Sequence, residues 1–229
     1  MRSLLFFCAG LVLVAVTAPP LYSQQATGGN SDAIVSFTLD FPASDPSHYS
    51  ISVRQDGHGA YESSAKVADD SEDQLYEFEF EVSATNRDRI FAWAKQADFF
   101  AGALDSGNHK LAFTGTKTFS YQDGPRKYSA SFNYSTSSAV QQLAALFESM
   151  STTLEYGRML AYSHRYQKLA LDDELRHLET QASSHELSEI QAIGPVLQEI
   201  VDDPSVINLV RARAQRLIAV GKAASTGRH

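Results

Sequence analysis

Apolar and polar side chains alternate through much of the first part of the chain. The alternation is clearest at 76–82, where Tyr76, Phe78, Phe80 and Val82 are separated by glutamates. A repeat of two residues places successive side chains on opposite faces of a β-strand. Runs of the same kind recur at 33–41, 49–54, 61–67, 110–121 and 126–134. These runs predict an antiparallel sheet with one buried face and one face in water.

Two Asp-Gly pairs lie between alternating runs, Asp56-Gly57 and Asp123-Gly124. Glycine adopts the positive φ that a tight hairpin turn requires, so each pair predicts a β-hairpin. The neighbouring His58 raises the alternative of a catalytic loop. Only Asp56 is placed in the sequence to orient that histidine, so we interpret this stretch as a turn.

The period becomes helical in two regions. Within 83–100, Ile90, Trp93 and Ala97 fall at helical spacing, and Thr85 stands where an N-cap is expected. From Ser137 onward the helical period persists to the end of the chain. Breaks are predicted near Gly157, Ser183-Ser184, Gly194-Pro195 and Asp203-Pro204, with Pro204 at a first helical position.

Strands followed by helices are typical of the α+β class. We predict an antiparallel sheet of about six strands with helices on one face, followed by a helical C-terminal region. The expected organisation is a sheet domain at 33–150, a helical extension at 151–221 and a disordered tail at 222–229.

The beginning of the chain predicts export. A short basic start precedes the unbroken apolar run Leu4–Val16, which is shorter than the roughly 20 residues of a membrane-spanning helix. We interpret 1–23 as a signal peptide and 24–32 as a polar linker. The only cysteine, Cys8, lies in the apolar run after two phenylalanines, a context that disfavours a lipid anchor. We expect a soluble protein of the periplasm or the exterior, without membrane insertion after signal cleavage.

The composition argues against several classes of function. The formal net charge is −8, and the basic residues are scattered, so a nucleic-acid partner is not expected. The same charge disfavours anionic membrane surfaces. Once Cys8 is removed with the signal peptide, no disulfide can form, and stability must come from burial.

A family of exported bacterial domains of unknown function resembles the segment 49–100. The residues that carry the resemblance are Tyr-Ser-Ile-Ser-Val-Arg-Gln-Asp-Gly from Tyr49, a second strand, and a helix that ends in Ala97-Asp98-Phe99-Phe100. The resemblance implies a bacterial source and another strand pair after the helix. Members of that family often enter the first strand with Cys-Pro-x-Tyr, whereas this chain has Pro46-Ser47-His48-Tyr49. Any role tied to that cysteine is absent.

The best candidate for a metal site is Glu174 with His177, one helical turn apart, to which His164 and His185 could add ligands. Di-metal carboxylate bundles need two such pairs and two further glutamates, and only one pair exists in this sequence. The stretch from His185 to Glu189 has a glutamate where the zinc-protease motif needs its second histidine. We interpret Ser184 as a helix start instead.

The sequence gives less support to a calcium site, a serine nucleophile, a phosphate-binding loop or an aromatic ligand groove. Asp69, Ser71 and Asp73 alternate as in a calcium loop, but Gln74 and Phe80 replace the glycine and glutamate that an EF-hand needs. There is no Gly-x-Ser-x-Gly motif and no Walker motif, and no cofactor is predicted. Strand tyrosines could line a ligand groove, although packing explains them first. The positions in question are Tyr49, Tyr61, Tyr76, Tyr121, Tyr128 and Tyr134.

The leading hypothesis is an exported, non-enzymatic module that binds a partner protein or a small ligand. One alternative is a metal-assisted hydrolase or di-metal protein that uses Glu174 and His177. Another alternative is an inhibitor of a secreted enzyme that presents a hairpin tip. Metal analysis of the purified protein would separate the first hypothesis from the second, and the most informative observation would be whether the helices form a pocket with converging polar groups.

Overall fold

The computed structural model describes residues 33–65, 74–108 and 110–225 of the chain. The expected signal peptide at 1–23, the linker at 24–32 and the acidic segment at 69–73 lie outside the described residues.

The described part of the chain forms one six-stranded sheet with strand order β4-β3-β2-β1-β5-β6, in which all neighbours are antiparallel. The strands are β1 (Ile34–Asp40), β2 (His48–Arg54), β3 (His58–Ala65), β4 (Gln74–Glu81), β5 (Thr116–Asp123) and β6 (Arg126–Phe132). The helices are α1 (Ala84–Gln96), α2 (Ser138–Tyr166), α3 (Leu171–Ser183), α4 (Gly194–Asp202) and α5 (Asn208–Ser225). The predicted α+β class is therefore confirmed.

Both predicted hairpins are confirmed. Gly57 joins β2 to β3 with φ of 100°, and Gly124 joins β5 to β6 with φ of 56°. Residues other than glycine rarely adopt these positive φ values. The Asp56 carboxylate accepts a hydrogen bond from the His58 backbone N–H at 3.0 Å, which closes the first turn.

One face of the sheet is buried against α1 and α2. Val35, Phe37 and Ile51 are fully buried on it, and the ring of Phe37 stacks on Phe147 of α2 at 5.5 Å between centroids. The opposite face, called the open face below, carries serines, threonines and glutamates. Cross-strand partners on the open face include Ser36 with Ser52 and Glu62 with Glu77.

The Asp98-Phe99-Phe100 segment after α1 forms a short left-handed turn. All three residues have positive φ, between 49° and 66°. Such backbone is strained by about 1–2 kcal/mol per residue. Aromatic packing offsets this strain, since Phe99 lies 4.5 Å from Tyr121 and Phe100 lies 4.9 Å from Phe119, measured between ring centroids. The turn thus fastens the end of α1 to β5.

α2 joins the sheet to the helical region. It continues without interruption through the domain boundary expected at 150/151, and it buries residues on both sides of that point, including Met150 and Leu154. The break predicted near Gly157 is wrong. A Cβ atom at Gly157 would lie only 2.5 Å from Ile193 Cγ2, so this glycine permits close packing inside a continuous helix.

Several predicted ends of elements are corrected. The N-cap of α1 is Ser83, not Thr85, because the Ser83 hydroxyl accepts a hydrogen bond from the Asn86 N–H. Ser184 ends α3 and does not begin a helix, since its N–H bonds to the Thr180 carbonyl. Pro204 lies in a turn before α5, where the Asp203 carboxylate accepts bonds from both the N–H and the hydroxyl of Ser205.

β5 begins later than predicted, and α5 ends later. The strand predicted from Lys110 begins at Thr116, because Gly115 has φ of 100° and the Thr114 N–H bonds to a side chain, that of Asn133. The disordered tail expected at 222–229 is corrected for residues 222–225, which belong to α5, and residues 226–229 lie outside the described residues. α5 runs to Ser225 because the lysine and alanines at 222–224 favour helix.

Candidate functional site

A cavity of about 430 Å³ opens between the β1–β2 connection and α2; we call it the α2 cavity. The connection contributes Asp45, Tyr49 comes from β2, and α2 contributes Glu148 and Ser151. Leu39, Pro46 and Met159 add apolar surface. Hydroxyl and carboxylate groups therefore converge on a partly apolar hollow, the usual make-up of a small-ligand site.

Glu155, which lines the α2 cavity, is the centre of a largely buried polar cluster. Tyr61 and Ser63 of β3 donate hydrogen bonds to Glu155 Oε1 at 2.7 Å and 2.6 Å, and Arg158 Nε donates to Oε2 at 2.7 Å. Ser63 is fully buried, and the side chains of Glu155 and Arg158 are 12% exposed. A buried carboxylate is tolerated when it is paired and hydrogen-bonded in this way.

Tyr49, which lines the α2 cavity, and Tyr61, which bonds to Glu155 and Ser151 of its lining, are held in the protonated form. Burial, together with the nearby Glu148 carboxylate, raises the pKa of Tyr49 far above its ordinary value. Burial and Glu155 do the same to the pKa of Tyr61. Tyr61 also shares a hydrogen bond of 3.1 Å with the Ser151 hydroxyl. These groups therefore supply hydrogen bonds, and a protonated Tyr61 cannot act as a base for Ser151.

Asp45 and Glu148 are the carboxylates of the α2 cavity that a ligand can reach, Asp45 at an exposed position of the connection and Glu148 on α2. The side chain of Glu148 is 44% exposed, whereas that of Glu155 is 12% exposed and already bonded to three side chains. Lys117 Nζ lies 3.6 Å from Glu148 Oε1, an ion pair rather than a short hydrogen bond. Glu148 thus keeps oxygen positions open to an incoming donor.

The four residues proposed for a metal site have other partners or face solvent. Glu174 Oε1 accepts a 2.6 Å bond from the Ser163 hydroxyl, and His164 Nε2 lies 2.9 Å from Asp203 Oδ2. His177 and His185 are exposed. Among residues 33–65, 74–108 and 110–225, no group of three or more His, Cys, Asp or Glu side chains is placed to hold a metal ion.

Glu189, which stands where the zinc-protease motif needs its second histidine, has a structural role. It is 4% exposed, and its carboxylate accepts bonds from the Ser83 N–H at 2.8 Å, the Ser83 hydroxyl at 2.7 Å and Asn86 Nδ2 at 2.6 Å. Gln191 Nε2 donates to it as well. A carboxylate at the N-terminus of α1 also interacts favourably with the helix dipole. Glu189 therefore ties the helical region to α1.

The strand tyrosines do not form a single platform. Tyr49, Tyr61 and Tyr121 are buried, whereas Tyr128 is 39% exposed and Tyr134 is 44% exposed. Tyr128 lies opposite Tyr121 on the same face, but β6 is at the edge of the sheet, where the covering layer ends.

None of the helices in the described part of the chain is both long and apolar enough to cross a lipid bilayer.

Sequence reasoning missed the α2 cavity. Its signal is the series Glu148, Ser151 and Glu155 on α2, polar residues of the cavity lining that recur every three or four positions. That spacing places them along one face. Tyr61 could not be linked to them from sequence, because it is 94 positions from Glu155.

Comparison with known proteins adds no relative: no protein-family model matches the chain, and no curated protein matches it. The resemblance of 49–100 to an exported bacterial family therefore stays a prediction.

Proposed function

We propose that the chain is an exported, non-enzymatic module that binds a small ligand, or a side chain of a partner protein, in the α2 cavity. The observation that carries the proposal is the convergence of Tyr49, Glu148 and Ser151 on a hollow of about 430 Å³. Export is proposed from the N-terminal sequence pattern.

The chemistry of the α2 cavity favours a ligand that carries a cationic donor on a short apolar stem. Glu148 supplies a reachable carboxylate, and hydrogen bonds to a charged group contribute about 1.5–3 kcal/mol. Leu39 and Met159 offer apolar contact to the stem. A primary amine or a guanidinium group, free or as a lysine or arginine side chain, has both parts.

Calorimetric titration with n-butylamine and agmatine tests this proposal. We expect saturable binding to the wild type, and binding weakened by about tenfold or more in Glu148→Gln, which keeps the shape and removes the charge. The matched control is Glu77→Gln, an exposed carboxylate on β4 that lies outside the α2 cavity.

The control should bind as the wild type does, and butyrate, with the opposite charge, should not bind. If neither amine binds saturably, or if Glu77→Gln weakens binding as much as Glu148→Gln, the α2 cavity is not the ligand site.

A further inference from the structure

The strand at one end of the sheet has an open backbone edge. Within the described residues, β4 pairs only with β3. The Val82 N–H donates to the Gly57 carbonyl at 2.9 Å and so points toward β3. Because backbone direction alternates along an antiparallel strand, the N–H and C=O groups of Glu77, Glu79 and Glu81 point away from β3. Since no other described strand pairs with these outward groups, they can pair with another extended chain.

The side chains beside this edge on the open face are acidic. The Glu79 and Glu81 side chains are 78% and 79% exposed, and their ion contacts to His58 are long, at 3.8 Å and 3.5 Å. Glu77 lies directly opposite Glu62 of β3, and like charges in that relation repel. Glu62, Glu77 and Glu79 border a hollow of about 540 Å³ on the open face. An added strand with positive charges here would remove the repulsion.

The side chains at the same edge on the buried face are aromatic and only partly covered. Tyr76 and Phe78 are half-buried, whereas Phe80 is 6% exposed. The rings run in a series along β4, with centroids 6.1 Å apart from Tyr76 to Phe78 and 6.3 Å apart from Phe78 to Phe80. Apolar side chains of an added strand would extend the buried face over Phe78.

We propose that β4 is a docking edge for an extended segment of a partner protein in which basic and apolar residues alternate. The segment adds a seventh strand to the sheet: its backbone pairs with Glu77, Glu79 and Glu81, and its basic side chains lie beside those carboxylates. Its apolar side chains fall on the other face and cover Phe78. This surface is separate from the α2 cavity.

Charge selects this occupant over a second copy of the chain. Antiparallel pairing of β4 with β4 of another molecule would place glutamates next to glutamates on the open face. Acidic side chains on an edge strand discourage such self-association. The same carboxylates attract a strand of opposite charge, so a partner with alternating lysine or arginine fits both observations.

A labelled peptide of alternating lysine and valine residues is the probe, and fluorescence anisotropy measures its binding to the full chain. We expect saturable binding that weakens at high salt. A peptide with glutamate in place of each lysine should not bind. In Glu79→Pro, proline removes an outward N–H and no bond to β3, so the fold should persist. Peptide binding should fall by about tenfold or more, the loss that removal of a hydrogen bond and a charge predicts.

Glu79→Gln separates charge from backbone pairing and should weaken binding less than Glu79→Pro does. Peptide binding is also measured in Glu148→Gln, which removes the charge by which the α2 cavity would hold a lysine side chain. Affinity that persists in Glu148→Gln and falls in Glu79→Pro is assigned to β4, so failure here is distinct from failure at the α2 cavity. The proposal is overturned if the lysine peptide does not bind, if the glutamate peptide binds equally well, or if Glu79→Pro keeps its native melting temperature and wild-type affinity.

Discussion

Glu174 illustrates how a single carboxylate responds to its surroundings. Its Oε1 accepts a bond from Ser163, while the buried Oε2 has no hydrogen-bond partner among the described residues. Burial raises the pKa of this carboxyl above its ordinary value of 4.5, and the Ser163 bond opposes the rise only in part. The raised pKa follows from desolvation of the charged form and needs no metal ion.

Glu174 should make stability depend on pH in a defined direction. A carboxyl with a raised folded-state pKa contributes stability that is fully present below 4.5 and is lost as pH rises through the folded pKa. Glu174→Gln lacks this titration, so the difference between its melting temperature and that of the wild type should shift in favour of the variant as pH rises above 4.5.

Glu199→Gln, at an exposed position of α4, is the matched control and should follow the wild type across the same range. Parallel melting profiles for Glu174→Gln and the wild type would contradict the assigned cause.

At the scale of elements, the β2–β3 hairpin depends on one backbone conformation. Gly57 has φ of 100°, which a β-branched residue fits badly. Gly57→Val should lower the free energy of unfolding by about 1–3 kcal/mol, measured by urea denaturation. Gly102→Val is the control, because a Cβ there meets no atom within 4 Å and its φ is not positive. Equal denaturation midpoints for the two variants would mean that the turn does not need glycine.

The strands were predictable because their signal is local. A strand buried on one face records its orientation in each residue, so the glutamates of β4 and the apolar residues between them give both the element and the buried face. The Asp-Gly pairs add the turns. No distant residue is needed for either step.

The ends of helices and the candidate site were not predictable, because distant residues decide them. Ser83 caps α1 with the help of Glu189, which lies 106 positions away. Gly157 has the composition of a helix break, yet its role is contact with Ile193. The α2 cavity combines Tyr49 of β2 with Glu148 of α2, and only the folded chain brings them together.

At the scale of the whole molecule, the sheet and the C-terminal helices share one hydrophobic core. The core is continuous from Val35 in β1 through Leu154 in α2 to Leu217 in α5. Glu189 adds a polar link between the helical region and α1. Elements that share a core and a buried polar link are expected to unfold together.

Trp93 allows a direct test of this cooperativity. It is the only tryptophan of the chain and lies on α1, so its fluorescence reports on the sheet side, whereas far-ultraviolet circular dichroism reports mainly on α2 to α5. The two signals should change at the same denaturant concentration.

Glu189→Ala leaves the Ser83 and Asn86 donors without their carboxylate and should destabilise the chain by about 2–3 kcal/mol in both signals. Glu186→Ala, at an exposed neighbouring position, should change neither midpoint. A shared core does not permit one part of the chain to unfold alone. If the dichroism and fluorescence transitions of the wild type had different denaturant midpoints, the C-terminal helices would fold as an independent unit instead.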